Sequence, residues 1–230
     1  MDTSISLANL AVGFIPVFLV LFLMARTGQG VKKATLALIR MLIQLMLVGY
    51  FLLWVFASPV PEITLSLLGL MMALASWLAL NVAGKPSLRL FQHSLLSLSV
   101  GGGSVLMITT QGVLNVTPWY NPQYLVPLAG MVFASSMTAI SLALERFESE
   151  INNQSVLDAK NAAFKAAMIP VVNSLLAVGV VSLPGMMTGQ ILSGVAPYIA
   201  ARYQIMVMCM IFSSTGLTVF LFLKLHCRAK

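Results

Sequence analysis

The chain consists of long apolar stretches separated by short polar segments. A helix of about 20 apolar residues crosses a hydrocarbon core about 30 Å thick. Seven stretches reach this length, so the pattern predicts an all-helical, polytopic membrane protein with about seven transmembrane helices. The predicted spans are Ile5–Ala25, Ala34–Ala57, Ile63–Val82, Leu90–Gln111, Tyr124–Leu144, Phe164–Leu183 and Tyr203–Leu223.

The segment Pro184–Arg202 does not follow this pattern. It is moderately apolar, but prolines and glycines interrupt it. Three interpretations remain open: a short helix, a half-helix or a re-entrant piece. The interrupting residues are Pro184, Gly185, Gly189, Gly194 and Pro197.

Basic residues predict the orientation of the chain in the membrane. Of the 13 Lys and Arg residues, all but Arg202 fall on one side of the seven predicted spans. Since positive charge accumulates on the cytoplasmic side, the N-terminus is predicted outside and the C-terminus in the cytoplasm. We therefore expect residues 1–230 to form a single domain in the inner (cytoplasmic) membrane.

Composition excludes several classes of protein. Charged residues make up 8% of the chain and hydrophobic residues 59%, whereas a soluble domain carries about 25% charged residues. A water-soluble monomer, a disordered chain and a nucleic-acid-binding domain are therefore not expected, despite the net charge of +7. The two cysteines, Cys209 and Cys227, form neither a disulfide framework nor a metal motif.

The segment 145–165 is the main cytoplasmic feature. It begins with the acidic residues Glu145, Glu148 and Glu150 and continues into a helix-start pattern at Ser155. Leu157 and Phe164 recur at helical spacing, so we expect an amphipathic helix that continues into the sixth span. This helix either packs on its own bundle or docks a cytoplasmic partner.

Polar and irregular positions inside the spans are candidates for a solute pathway, because polar groups in lipid are costly unless they pair or line a cavity. Gln44 lies deep in span two, and Asn173 follows Pro170 by about one turn in span six. The densest motif is Pro184–Gln190, where Gly185 and Gly189 form a GxxxG spacing and Met186, Met187 and Gln190 are interspersed. Helix–helix contacts and simple packing of methionine are the alternative interpretations.

Catalytic and metal motifs are sparse. Glu145 and Glu148 form an ExxE pair that could hold a cation, with ion pairing to nearby Lys and Arg as the alternative. The sequence contains no HExxH, no GxSxG and no Asp within the predicted spans, so an enzyme is not expected. It also contains no GxxxxGK[ST] phosphate loop and no mid-span carboxylate, which favours a permease powered by ATP bound to another chain.

Several runs of residues resemble the FetB-type permeases, the membrane subunits of a bacterial iron-export ABC transporter that are related to plant aluminium-tolerance permeases. The run LPGMMTGQIL at Leu183–Leu192 carries this resemblance most specifically. It extends over about residues 35–223. The other matching residues are Arg40, Gln44-Leu45, Gly49-Tyr50, Pro127–Met131, Ala166–Pro170, Gly194, Pro197, Ala200 and Tyr203–Ile205.

The resemblance implies a permease that exports iron, pairs with a separate cytoplasmic ABC ATPase and dimerises; ATP would bind to the partner and this chain would hold no cofactor. Glu145, Glu148, Leu157 and Phe164 are then candidates for ATPase coupling, although the Leu-Gly-Ala stretch of the family is missing there. Another metal, a nucleotide sugar, or a membrane scaffold that transports nothing are the alternatives. The candidate pathway residues are Gln44, Asn173, Met186, Met187, Gln190 and Gln204, and the candidate structural residues are Pro170, Pro184, Gly185 and Gly189.

Overall fold

The computed structural model describes residues 6–28, 30–57, 60–84 and 86–228. In these ranges all regular secondary structure is helical, and the backbone pairing outside helices is an isolated bridge between Val178 and Ser182. The all-α prediction is therefore confirmed. Internal contacts divide the chain into two compact units, Met1–Ala57 and Ser58–Lys230.

The N-terminal unit contains α1 (Leu7–Val12), α2 (Ile15–Arg26) and α3 (Val31–Ala57). The first predicted span begins at Ile5, outside the described residues, and is divided by a turn between α1 and α2. The division follows from Pro16, which has no N–H to donate to the carbonyl of Val12. Most side chains of α2 and α3 are exposed, as expected for helices whose surroundings are lipid.

The C-terminal unit is built around one long helix, α7, which packs against α4, α8 and α10. Two groups of buried side chains hold these helices together. The helices of this unit are α4 (Pro61–Val82), α5 (Leu88–Ser97), α6 (Gly103–Met107), α7 (Pro122–Glu150), α8 (Val156–Ala177), α9 (Gly185–Leu192) and α10 (Pro197–Arg228).

Length and apolar character show a multi-pass membrane protein. Within the described residues, six helical segments are long and apolar enough to span a bilayer. They correspond to the first five predicted spans and the seventh. The segments are Asn9–Arg26, Val31–Ala57, Pro61–Val82, Leu88–Val113, Pro122–Glu150 and Pro197–Cys227.

Helix α8 takes the place of the sixth predicted span, but with shifted ends. It begins at Val156, where Ser155 caps it by accepting a hydrogen bond from the backbone N–H of Asp158 (3.2 Å). This confirms the helix-start pattern, and it places Asp158, Lys160 and Lys165 inside the helix, which lowers its mean hydropathy. The helix ends at Ala177 instead of Leu183, since Gly179 adopts a left-handed backbone (φ +82°) that a helix cannot continue.

The broken segment after α8 contains a short helix. Helix α9 begins after Pro184 and ends before Gly194, whose φ of +92° turns the chain into α10. Pro184–Arg202 thus contains one short helix, and its last residues belong to α10. Proline fits here because Pro184 precedes α9 and Pro197 starts α10, where no intrahelical N–H is needed.

The fourth span departs from the regular helix that its apolar pattern predicts. Its residues Leu98–Gly102 and Ile108–Val113 are π-helical. The first of these segments contains Gly101 and Gly102, whose missing side chains let the helix approach α10 closely. A Cβ on Gly101 would lie 2.7 Å from the backbone nitrogen of Thr218 and 2.9 Å from its Cα. Segments of π-helix are rare and concentrate at functional sites.

The two buried groups lie at opposite ends of α7, and both contain bulky side chains. The alanine-rich cluster joins the end of α7, the start of α8 and the end of α10, and Ala159, Ala163 and Ala167 form a stripe at every fourth residue. Such a stripe lets two helix backbones approach closely. The leucine-rich cluster lies at the other end of α7 and includes Leu98, Leu128 and Val132.

Substitution of Gly101 by Ala is expected to destabilise the protein, because the added methyl group meets backbone atoms of α10 that cannot move aside. Overpacking of this kind costs about 1–3 kcal/mol. Gly103→Ala is the matched control, since nothing lies within 4 Å of its Cβ position. Alanine is the better helix former, so this change is expected to leave stability unchanged or to raise it. Thermal unfolding in detergent measures both, and equal midpoints would contradict the close packing at Thr218.

Candidate solute pathway

A cleft of about 540 Å³ lies between α7, α8 and α10, beside the connection from α8 to α9. We call it the main cleft. The side chains lining it come from distant parts of the C-terminal unit and are mostly apolar. They are Met131, Asn173, Ser174, Ala177, Val178, Ser182, Leu183, Pro184, Gly185, Met186, Gln204, Val207, Met208 and Ile211.

The connection 178–184 forms one wall of the main cleft and satisfies most of its own backbone. The N–H of Gly179 donates to the carbonyl of Ser182 (2.9 Å), and the N–H of Ser182 donates to the carbonyl of Ala177 (3.1 Å). At the start of α9, the hydroxyl of Thr188 donates to the carbonyl of Pro184 (3.1 Å). Irregular backbone at membrane depth requires such partners or a cavity, and this segment has both.

Gln204 is the most constrained polar residue of the main cleft. Its side chain is 6% exposed, and its Oε1 has no hydrogen-bond partner among the described residues. A buried oxygen without a partner costs about 1–3 kcal/mol. Gln204 lines the cleft, so a solute or water that binds beside it could supply the missing partner. Among the described residues, five other buried polar atoms lack a partner, and their residues do not line this cleft; they belong to Ser76, His93 (Nδ1), Ser94, Ser136 and Thr218.

Two further clefts adjoin the main cleft. The second, of about 320 Å³, shares Gln204 and Met208 with it and adds Met187 and Cys209. The third, of about 310 Å³, shares Ser174 and Met208 and adds hydroxyl groups on α7. It also reaches two residues of the alanine-rich cluster, Ala139 and Ala167. The cleft system thus runs along α7, α8 and α10 from the connection 178–184 to that cluster.

The lining of the main cleft is electrically neutral. Its polar side chains are amides and hydroxyls, and none of its described lining residues carries a formal charge. Three methionines supply thioether sulfurs. The hydroxyl of Ser174 is turned to the backbone, where it donates to the carbonyl of Pro170 (2.9 Å) within α8. Helix α8 therefore continues through Pro170.

The structure brings many of the predicted site residues together. Asn173, Met186, Gln204, Pro184 and Gly185 line the main cleft. Met187 lines the second cleft and Pro170 the third. On α9, Gly189 and Gln190 line none of the three. Gln44 is exposed on α3 and belongs to the N-terminal unit.

Sequence reasoning missed Met208, which lines all three clefts. It follows Gln204 by four residues on α10, so both lie on one helix face, and this spacing was the available signal. Met131 was also missed as a pathway residue. It is one of 15 methionines, and the apolar pattern does not distinguish a lining methionine from a packed one.

The segment 145–165 forms the tip of a helical hairpin and not an extended loop. Helix α7 continues to Glu150, where Glu150 pairs with Arg146, and α8 starts at Val156. Leu157 is exposed, whereas Phe164 packs against the alanine-rich cluster. Of the four predicted coupling residues, Leu157 is therefore the exposed apolar one.

The two glutamates proposed as weak metal candidates occupy different surroundings. Glu145 is exposed, while Glu148 is half-buried, with its Oε1 3.4 Å from Nε2 of His226. The ring of His226 lies between Phe222, stacked on it, and the edge of Phe147. Within the described part of the chain, no three His, Cys, Asp or Glu side chains come together as a metal site.

Comparison with known proteins identifies relatives over nearly the whole chain. The model of the uncharacterised protein family UPF0014 matches residues 7–159 and 152–230. UPF0014 membrane protein slr1647 of Synechocystis is 37% identical over 197 residues, covering 78% of this chain and 75% of the relative. UPF0014 membrane protein YjkA of Bacillus subtilis is 33% identical over 232 residues, covering 91% and 89%.

A third relative carries a functional name. The "Probable iron export permease protein FetB" of Escherichia coli is 31% identical over 195 residues, covering 78% of this chain and 74% of the relative. The resemblance to the FetB-type permeases is thereby confirmed. No solved structure matches the chain significantly. The family match over both parts of the sequence shows that the chain belongs to the uncharacterised protein family UPF0014.

Proposed function

We propose that this chain is the membrane permease subunit of an ABC transporter that exports iron, powered by ATP hydrolysis on a separate cytoplasmic subunit. The observation that carries the proposal is the main cleft, with the buried, unpaired Oε1 of Gln204 in its wall. The name of the Escherichia coli relative supports iron as the substrate. The missing phosphate loop supports a separate ATPase.

The size and neutrality of the main cleft suit a hydrated ion. A volume of about 540 Å³ is far above the roughly 10–15 Å³ that a single water molecule requires. A ferrous ion with its first water shell fits within that volume. Amide and hydroxyl groups of Asn173, Ser182 and Gln204 can hydrogen-bond to those waters without removing them. Weak binding of this kind favours release, which transport requires.

A nucleotide sugar fits the main cleft less well. Its diphosphate would enter a wall in which none of the described lining residues is Lys or Arg. Phosphate groups are normally bound by such cations or by a helix N-terminus. The cleft borders the N-terminus of α9 at Pro184 and Gly185 but offers no Lys or Arg among its described lining residues. The lack of a cation there favours a hydrated metal ion over this anionic alternative.

Completing the pathway requires a change at the alanine-rich cluster, where the cleft system ends. In the predicted orientation, the connection 178–184 is on the outer side and this cluster is on the cytoplasmic side. The cluster also contains bulky side chains such as Leu144 and Phe147, so separating the alanine stripe of α8 from α7 costs free energy. ATP hydrolysis on the partner would drive this separation.

The hairpin tip between α7 and α8 is the proposed contact with the ATPase. The tip joins α7 and α8, and these helices pack against each other at the alanine-rich cluster. A movement of the ATPase against the tip would therefore act on this helix–helix interface. Val156 and Leu157 are both exposed there, although they are apolar. In this proposal two permease subunits and two ATPases form the transporter in the inner membrane.

Loss of the protein is expected to raise cellular iron. Deletion of the gene in its host, followed by growth in excess iron, is expected to increase cell-associated iron measured by mass spectrometry, and the wild-type gene is expected to restore it. Everted membrane vesicles that contain the chain and its ATPase are expected to take up ⁵⁵Fe²⁺ with ATP and to stop when vanadate is added. Unchanged iron in the deletion strain, together with no vanadate-sensitive uptake, would sink the proposal.

Gln204→Leu separates a transport role from a structural one. Leucine removes the unpaired buried oxygen, so the thermal midpoint is expected to stay the same or rise. Iron export is nevertheless expected to fall, because the wall loses its amide. Gln92→Leu, at an exposed position of the fourth span, is the matched control and is expected to leave export unchanged. Normal export by the Gln204 variant would remove this residue from the pathway.

Leu157→Ser tests the hairpin tip. The side chain is 65% exposed, so the free energy of unfolding is expected to change by no more than about 0.5 kcal/mol. Iron uptake by vesicles is expected to decrease because the partner loses an apolar contact. The control is Leu88→Ser, an exposed leucine on the same predicted side of the membrane but outside the hairpin. Equal uptake by both variants would argue against docking at Leu157.

A further inference from the structure

The main cleft gathers methionines from three different helices around Gln204. Met131 comes from α7, Met186 from α9 and Met208 from α10. Met208 lies one turn from Gln204 on the same face of α10, and both residues also line the second cleft, where Met187 is added. Three methionine side chains and the amide side chain of Gln204 therefore line a shared space.

Packing alone does not explain this arrangement. Met131 and Met186 do contact the leucine-rich cluster with part of their surface. A purely apolar role for the site, however, would be served better by leucine at position 204, because the buried Oε1 of Gln204 has no partner among the described residues. A bound cation would give that oxygen a partner.

The neutral lining restricts the charge of an ion that binds without its water. The free energy needed to remove water from an ion rises with the square of its charge. This free energy is therefore about four times larger for a divalent ion than for a monovalent ion of equal radius. No carboxylate is present among the described lining residues to offset that cost, which excludes the usual ligand set for Mg²⁺ or Ca²⁺. Thioethers instead select soft ions such as Cu(I).

We propose that the main cleft contains a site for a soft monovalent cation of the Cu(I) or Ag(I) class, held directly by the thioethers of Met186 and Met208 and by Oε1 of Gln204. This inference rests on the proposed function, because both use the main cleft. The soft-ion site adds a second class of substrate to the proposed iron export. Iron would pass with its water shell, whereas the soft ion would bind directly to the protein.

The test uses Ag(I) and the purified full-length chain in detergent. Thiols bind Ag(I) strongly, so all proteins carry Cys209→Ser and Cys227→Ser. Titration calorimetry is expected to show Ag(I) binding, and X-ray absorption is expected to show sulfur ligands. Met186→Leu, Met208→Leu and Gln204→Leu are each expected to weaken binding by roughly tenfold or more, since even outer-shell changes at metal sites cost that much.

Met107→Leu is the matched control, because Met107 is 67% exposed on the fourth span and does not line the main cleft. Leucine conserves the volume of methionine, so the three methionine variants are expected to fold. No Ag(I) binding, or equal affinity in Met107→Leu and the cleft variants, overturns the site. Ag(I) binding without iron export in the vesicle assay supports the site and counts against the proposed function. Iron export without Ag(I) binding supports the proposed function and overturns the site.

Discussion

The end of α8 at Ala177 is the constraint on which the candidate pathway depends. If this helix continued to Leu183, its side chains would pack along α7 and α10 and fill the space beside Gln204. The left-handed conformation of Gly179 ends it instead, and the chain folds back through hydrogen bonds among Ala177, Gly179 and Ser182. Lipid does not tolerate unpaired backbone, so this connection is stable only because it supplies its own partners and borders a cleft.

The chemistry of the main cleft follows from what does not line it. Carboxylates and cations would bind ions or phosphates tightly, whereas amides, hydroxyls and thioethers bind them weakly or according to softness. The unpaired oxygen of Gln204 lowers the stability of the folded protein. Natural sequences retain such costs where function requires them, and replacing this amide with an apolar side chain would otherwise be an easy improvement.

The two buried groups hold the two ends of α7 in the C-terminal unit. Leucines and the close contact of Gly101 with Thr218 fix the fourth span, α7 and α10 around the leucine-rich cluster. At the other end, an alanine stripe lets α8 approach closely, while Phe147 and Phe222 fill the same cluster with bulky side chains. The hairpin tip joins α7 to α8 at this end, where a push in the proposed ATP-driven role would act.

Much of the fold was predictable because it depends on local patterns. Apolar stretches of sufficient length predicted the membrane helices, and Ser155 with Asp158 predicted where α8 begins. The exact ends of the helices and the irregular helical segments were harder to predict from the sequence. The last turn of the sixth predicted span is apolar except for Ser182, so the left-handed conformation of Gly179 is what shows that the helix stops early. The close contact of Gly101, in the first π-helical segment, with Thr218 on α10 likewise joins residues more than one hundred positions apart in the chain.

Some residues of the candidate site were likewise predictable from the sequence, and others were not. Proline, glycine and polar residues within the spans marked Asn173, Pro184, Met186 and Gln204 from the linear order alone, because such residues are exceptional in lipid. Met208 and Met131 could not be selected, and Gln190 was selected although it lines none of the three clefts. The amino-acid order establishes a multi-pass helical protein and where its spans are interrupted, since burial in lipid acts on every residue along the chain. Which side chains face a common space was decided only by the rotation and packing of α7, α8 and α10, since those are set by contacts between residues far apart in sequence.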